Sequence, residues 1–480
     1  MHNLTVDIYS GILGGEESPK LPYSWVPRDS RRRLAAYTGY SMLYYNCYQL
    51  NKTGGKTERI KTEDGTASLI VNTFSDSVLG DRFSIIPSGL IDEQGKPDPK
   101  LAAQLGIIEL WRGKTLLDSV FHQIELHASM LGDSTLRLRW SSKHERPEIM
   151  AIDPGFFFPD FDEDGELRSF SYAWEVKDGS DTRIYKEDYY FNDAGICCCT
   201  AGYYKLASTK PSLDDLKLIE YKRNENGEEL NNYSLGIDFM PVVYVPNILL
   251  PGEDFGISDL APVVHLLEKL SDIGSDIIKN ADLLGGATLI VEGKQPMSKK
   301  GDPEVYSIGP GQIFWTGGDK VHVLDTSAMS DAGLKVLDMI EAKIFRNSRV
   351  TELAVGKLSG GEIPSGVALQ MLQYPFLRTI YLKRLIRADK YSKLMKYVTR
   401  FYRLFGASDE YFENEEFECQ FGNILPIDRQ QLLDELISVV SAGIITTETA
   451  IDILHTITGW DIPEDEFTRL QHEKTMRMEM

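Results

Sequence analysis

Two long amphipathic segments on either side of a short strand-rich stretch constrain this chain more than any other feature. The first, GISDLAPVVHLLEKLSDIGSDIIKNADLL (256–284), reads as one helix. Ser258 or Asp259 is placed to cap it, and Pro262 falls in its first turn. Val263, Leu266, Leu267, Leu270, Ile273 and Ile277 recur at helical spacing and form one apolar stripe. At 1.5 Å per residue, about 26 residues reach roughly 40 Å. Residues 285–326 then break into short strand runs, ATLIVEG, EVYSIGPGQIFW and KVHVLD. A second helix is expected over 327–353, with Leu334, Leu337, Ile340 and Ile344 on its apolar side. A helix leading out and a helix leading back carry the strand module away from the body, as a stalk carries a tip. One stripe per helix suits packing beside copies of itself in a ring; it equally suits burial against the chain's own domain.

A glycine-rich loop, residues 354–364, follows the second helix. Its centre, Leu358-Ser359-Gly360-Gly361-Glu362, has the look of an ATPase signature loop. Such a loop works only with a phosphate-cradling partner spaced G-x-x-x-x-G-K-[ST]. Gly55-Lys56-Thr57 would need glycine at position 50, which is Leu50. Gly113-Lys114-Thr115 would need it at position 108, which is Ile108. Both fail, so the loop needs another explanation. Beyond Ser365 a long helix runs to about Phe405, roughly 60 Å if unbroken. Pro375 lies well inside it, where a kink is expected.

The remainder reads as α+β. Residues 29–50 form a helix, 67–85 a helix running into a strand, and 115–140 repeat that design with a stop near Gly132. From 147 to about 246 strands and turns dominate, with turn signals at Asp153-Pro154-Gly155, Asp164-Gly165 and Asn226-Gly227. From Pro426 two short helices flank SAGIITTETA (441–450), the first stopped by Gly443 and the second capped by Thr446 or Thr447.

Charge and cysteine content exclude several function classes. The formal net charge is −21. Such a chain does not wrap nucleic acid by counterion release, but it can surround a polyanion without sticking to it. Cys197, Cys198 and Cys199 are consecutive, and Cys47 and Cys419 stand alone, which fits neither a disulfide framework nor a zinc site. Asp7, Glu16 and Glu17 interrupt any leader-like apolar run, and no stretch approaches the roughly 20 apolar residues of a membrane span. DFDEDGELRSFS (160–171) begins like a calcium loop, but its twelfth position is Ser171 rather than glutamate, so an acidic turn is expected. His265 and His322 have no ligand set around them and are read as structural. The long helix is basic after Pro375: Arg378, Lys383, Arg384, Arg387, Lys390, Lys393, Lys396, Arg400 and Arg403 oppose only Asp389. Because these cations occupy several faces, pairing with acidic residues of neighbouring subunits is expected ahead of a DNA-facing band. No catalytic order of residues, metal site or cofactor site emerges.

In this order of parts the chain resembles the portal proteins of tailed bacteriophages. MPVVYVPNILLPGEDFGISDLAPVVHLLEKL (240–270) is similar to the family's approach to its first stem helix, through Pro241, Val242, Asn247, Gly256, Ser258, Asp259 and Leu260. IPSGVALQML (363–372) is similar to the start of its long kinked helix, through Ser365, Gly366, Ala368 and Leu369. LLDELISVVSAGIITTETAIDIL (432–454) resembles its C-terminal helices and HASMLGDSTLRLRW (127–140) its early helix-to-strand passage.

The resemblance implies a portal-type α+β fold: a mixed α/β wing over 1–257, stem helices at 258–284 and 327–353, and a small β-rich clip at 285–326. It further implies a tunnel loop at 354–364, the kinked helix with wing closure at 365–425, and a helical crown at 426–480. It implies a homo-oligomeric ring of about twelve subunits, packed through Val263, Leu267, Leu270, Ile277, Leu337, Ile340 and Ile344. Double-stranded DNA would pass through without sequence specificity, the terminase motor, capsid and head-completion or tail proteins would dock, and neither membrane nor cofactor would be involved. The protein would sit at the portal vertex of the virion, and in the host cytoplasm during assembly. Lys357, Leu358, Ser359, Gly360, Gly361 and Glu362 would line the DNA channel, the glycines easing changes of backbone shape. Two other readings stay open: a nucleotide-dependent enzyme with an unrecognised phosphate loop, and another virion structural adaptor.

Overall fold

A computed structural model describes residues 28–45, 65–91, 98–178, 181–206, 213, 216–224, 227–285, 289–292, 320–323, 327–352, 354–356, 366–406, 412–424, 429–458 and 469. The chain divides into two compact units, 1–421 and 422–480.

The first unit opens with helices. Helix α1 (Arg28–Tyr44) buries Leu34, Tyr37 and Met42. Helix α2 (Thr66–Leu79) buries Ile70, Val71, Phe74 and Val78, spaced so that one face meets the core. Helix α3 (Pro99–Thr115) was not expected from the sequence. The Asp98 carboxylate caps it, accepting from the N–H groups of Lys100 (2.8 Å) and Leu101 (3.4 Å), and Pro99 occupies its first turn. Gly113, Lys114 and Thr115 are its last residues, a helical turn and not a phosphate loop. Helix α4 (Leu117–Leu131) ends as expected at Gly132, whose φ of 99° lies where side chains are disfavoured.

Two sheets follow. Strand β2 (Asp133–Ser141) pairs antiparallel with both β3 (Arg146–Ile152) and the later β10 (Val242–Pro246), giving the order β10-β2-β3. The second sheet is a meander of β4 (Phe157–Phe161), β5 (Leu167–Asp178), β6 (Asp181–Phe191), β7 (Cys197–Leu206) and β8 (Leu216–Tyr221), with the short β9 (Tyr233–Ser234) also on β7. The cysteine triplet begins β7, with all three side chains buried as free thiols. The acidic segment at 160–171 is the β4–β5 turn. There the Asp162 carboxylate accepts from the N–H groups of Asp164 (3.0 Å) and Glu166 (2.9 Å), and Arg168 pairs with Asp160 at 2.6 Å. No grouping of metal-ligating side chains occurs among the described residues.

Both helices of the predicted hairpin are present, with the first and last of the three expected strand runs between them; EVYSIGPGQIFW lies outside the described residues. Helix α5 (Val264–Gly285) leads to β11 (Leu289–Glu292), which pairs antiparallel with β12 (Lys320–Val323), and α6 (Ser327–Ser348) returns. The two helices pack on one another: a Cβ on Gly333 of α6 would stand 3.3 Å from Ile277 of α5. Helix α7 (Gly366–Phe405) then runs 40 residues with Pro375 inside it, matching the expected limits. Strand β13 (Phe417–Gln420) closes the unit by pairing with β1 (Ser84–Pro87).

In the second unit α8 (Arg429–Ser441) and α9 (Thr447–Thr458) pack together. The Thr446 hydroxyl accepts from the Thr449 N–H at 3.2 Å, so Thr446 is the cap. No described helix is long and apolar enough to cross a membrane.

Candidate functional site: the stalk and its footing

The hairpin stands on a buried polar cluster assembled from α4, the segment 246–260 and α7. Helix α7 sets Phe376, Ile380, Lys383, Arg387, Tyr391, Leu394, Val398 and Phe401 along one buried stripe. Two of those positions carry cations with no solvent exposure. Buried charges are costly unless paired, and each of these two cations meets a buried carboxylate.

Arg387 forks onto Glu125 of α4, with Nε at 3.0 and 3.1 Å and Nη2 at 2.9 Å from the carboxylate oxygens. Its Nη1 donates to the carbonyls of Pro246 and Asn247, both at 2.8 Å, and Nη2 reaches the Asn247 side-chain oxygen at 3.2 Å. The Tyr391 hydroxyl donates to Glu125 at 2.5 Å. Burial works against the guanidinium charge, but Glu125 more than reverses this and holds Arg387 protonated more firmly than usual. One turn earlier, Lys383 pairs with Asp259 and lies 4.1 Å from the centre of the Phe74 ring. Asp259 also accepts from the Ser129 hydroxyl at 2.6 Å. For Lys383 burial prevails over Asp259, and its pKa falls below the ordinary lysine value.

A third carboxylate holds the approach to the stalk. Asp133 accepts from the hydroxyls of Tyr37 and Tyr244 and from the Gly256 N–H at 2.7 Å. Burial raises its pKa, and these hydrogen bonds oppose the rise. The backbones at Gly132 and Gly256 come so close that a Cβ on Gly256 would lie 2.1 Å from the Gly132 carbonyl oxygen and 2.7 Å from the Asn247 nitrogen. Asn247 ties the far side, its Nδ2 donating to the Ile257 carbonyl at 3.0 Å.

These contacts correct three expectations. Helix α5 starts at Val264 rather than near residue 258. Ser258 caps only the turn before it, accepting from the Leu260 N–H at 3.0 Å and donating to the Met130 carbonyl at 2.7 Å. Asp259 is no helix cap because Lys383 has claimed its carboxylate. The basic half of α7 pairs inside its own chain rather than waiting for neighbouring subunits. Beyond the two buried pairs, Lys393 reaches Glu166 at 2.8 Å, while Arg400 and Arg403 meet Glu415 at 2.9 and 2.5 Å. The Arg384 guanidinium donates to the carbonyls of Val78 (2.8 Å) and Ser77 (3.3 Å). His265 is almost wholly exposed and lies 3.4 Å from Glu268, so it plays no part in the core.

The residues expected to pack the stalk are drawn together within one chain. Val263, Leu267, Leu270, Ile340 and Ile344 are buried, and Ile277 and Leu337 half-buried. Val263 lies in the turn just before α5. Apolar side chains left exposed on the hairpin include Ile278, Leu334, Val336 and Met339. Pro375 divides α7: Met371, Leu372 and Tyr374 before it are exposed, whereas the clamp residues follow it. Lys357, Leu358, Ser359, Gly360, Gly361 and Glu362 lie outside the described residues. Sequence reasoning missed Glu125, Asp133, Lys383 and Arg387 as a unit. The available signal was two cations standing where the α7 stripe calls for apolar residues.

Of the residues that carried the resemblance, Pro241 immediately precedes β10, Val242 begins it, and Asn247, Gly256, Ser258, Asp259 and Leu260 lie in the clamped approach to the stalk. A search of curated proteins finds no match to the chain. A family model described as "Phage portal protein, SPP1 Gp6-like" matches residues 37–480. With its helix–strand–helix stalk seated on that footing, the chain belongs to the SPP1 Gp6-like family of phage portal proteins.

Proposed function

We propose that the chain assembles as a ring of about twelve copies at one capsid vertex and conducts double-stranded genome DNA during packaging and ejection. Family membership carries the coarser part of this reading: a ring-forming structural component of the capsid vertex, not an enzyme. The finer part rests on the stalk. In this reading 1–257 is the wing, 258–284 and 327–353 the stem, 285–326 the clip and 426–480 the crown. Residues 365–425 form the kinked helix and wing closure, with Pro375 as the flexure point. The loop 354–364 is the tunnel loop, with Lys357 through Glu362 facing the channel. Ring contacts use Leu334, Val336 and Met339, because Val263, Leu267, Leu270, Ile340 and Ile344 are already buried inside each chain. The net charge of −21 suits a conduit that must not hold its cargo, since strong phosphate neutralisation would stop DNA from sliding. The tip of the stalk would receive the terminase motor and later the head-completion and tail proteins, first in the host cytoplasm and then in the virion.

The test is negative-stain electron microscopy with native mass on one purified sample. Rings around a central hole are expected. A monomer that stays monomeric in the presence of its capsid and scaffold partners would overturn the reading.

A further inference from the structure

The two outer edges of the helical hairpin carry opposite charge. In α5 the side turned to α6 holds Leu267, Leu270 and Ile277. Positions two apart on a helix lie on nearly opposite sides. Glu268 and Asp272 stand two residues either side of Leu270, and Asp276 continues them at four-residue spacing, so an acidic row runs along the edge away from α6. In α6 the side turned to α5 holds Gly333, Leu337, Ile340 and Ile344. Lys335 and Met339 stand two residues either side of Leu337, and Arg346 two beyond Ile344, so they face away from α5, with Lys343 bordering them. All four are exposed.

Each edge has one countercharge. Three carboxylates oppose Lys269 on the α5 edge, and three cations oppose Asp338 on the α6 edge, leaving a surplus of two of either sign. Within the chain Glu268 meets His265 at 3.4 Å. Asp276, Lys335, Lys343 and Arg346 form no ion pair among the described residues.

The contact inside the hairpin fixes the heights of these charges. A Cβ on Gly333 would stand 3.3 Å from Ile277, so the two positions share a level. Because α6 returns along α5, each step back on α5 matches one step forward on α6. That count brings Asp276 within one residue of the level of Lys335, Asp272 of Met339 and Glu268 of Lys343, a mismatch of about 1.5 Å. In a ring whose axis runs along the stalk, rotation carries one copy to the next without changing height. The acidic edge of one copy then meets the basic edge of its neighbour level for level.

Resting on the ring reading above, we propose that neighbouring copies join through these edges, α5 of one against α6 of the next. Asp276 pairs with Lys335 and Glu268 with Lys343, Met339 packs between the two pairs, and Arg346 adds a cation beyond Glu268. Exposed ion pairs contribute little affinity; they fix which edge meets which, and at what height. Joining unlike edges is a head-to-tail contact, which repeats around a ring rather than stopping at a dimer. DNA phosphate would account for the cations, but for neither the exposed Met339 among them nor the acidic row at the same heights.

The test follows assembly of the full chain by native mass and electron microscopy. Lys335→Glu with Lys343→Glu sets acid against acid in every contact, and should raise the concentration for half-assembly at least about tenfold with an unchanged circular dichroism melt. Glu268→Lys with Asp276→Lys should do the same. Combining all four changes restores unlike edges and should recover assembly, which damage to the fold would not allow. Oxidation of the double variant Asp276→Cys, Lys335→Cys should give covalent ladders longer than a dimer, with the wild type controlling for native thiols. The two sites lie on opposite edges of one chain, so they should not close within it. Full assembly of the acid-against-acid variant, no recovery in the combined variant, or crosslinks confined to one chain would overturn the inference while wild-type rings still uphold the ring reading. Normal rings that instead lose retention of a linear DNA duplex would assign the basic row to DNA. A wild type that forms no rings would remove both readings together.

Discussion

Replacing Arg387 by methionine removes the guanidinium but keeps most of the apolar stem. Glu125, 1% exposed, keeps only the Tyr391 hydroxyl, and the Pro246 and Asn247 carbonyls lose their 2.8 Å donor. Breaking a buried pair from one side costs about 3–5 kcal/mol, of which the abandoned carbonyls are a part. The carbonyls belong to the segment leading into the stalk, so the loss should fall there first. Native-state hydrogen exchange read by mass spectrometry over residues 244–260 is the suitable assay. Exchange should accelerate roughly a hundred- to several-thousand-fold, since each 1.4 kcal/mol is a factor of ten. The double variant Glu125→Leu, Arg387→Met removes the stranded charge and should recover about 3 kcal/mol of that loss, because apolar replacements of a buried pair are often neutral. An acceleration below tenfold in Arg387→Met, or a double variant no better protected than the single one, would refute the clamp as the stalk's footing.

Gly256→Ala should lower stability more than a surface substitution by several kcal/mol, because its Cβ would strike backbone at 2.1 and 2.7 Å that cannot swing aside; thermal melting against Gly106→Ala, an exposed helical position with open space around it, measures this. Lys383 predicts a pH signature. The unfolded chain holds that proton to about 10.5, while the folded chain releases it earlier. Between the two values the unfolded state binds more protons, so this group makes stability rise with pH. Urea midpoints through that window should lose the rise in Lys383→Met, and an unchanged slope would contradict the assignment. Burial pushes the thiols of Cys197, Cys199 and Cys419 up to about 12. Alkylation of the native protein near pH 8 should therefore spare all three until denaturant is added, as peptide mass mapping would report.

The elements legible in the sequence are those whose signals are local. The limits of α7 follow from Pro364 before it and the turn after Phe405, and the hairpin follows from two stripes and a change of period. Helix α3 escaped notice although Asp98-Pro99 is a good start signal. It buries only Gln104, Ile108 and Trp111 and exposes Leu110, so its pattern is weak. The start of α5 was misplaced for a tertiary reason: Asp259 has the chemistry of a cap, and a lysine 124 residues later takes it. The clamp depends on register and on long-range packing. No spacing rule joins Glu125 to Arg387.

Asp259 and Lys383 stand at the two ends of the long excursion that contains the stalk, and their ion pair brings the chain back to where it left. The body closes beneath the excursion, whatever the excursion holds. Closing a flexible loop becomes only slightly harder as it lengthens, by about 0.6 kcal/mol for each doubling. The stalk therefore behaves as a cassette. Its helices can be lengthened, trimmed or exchanged with little effect on the stability of the body that carries them.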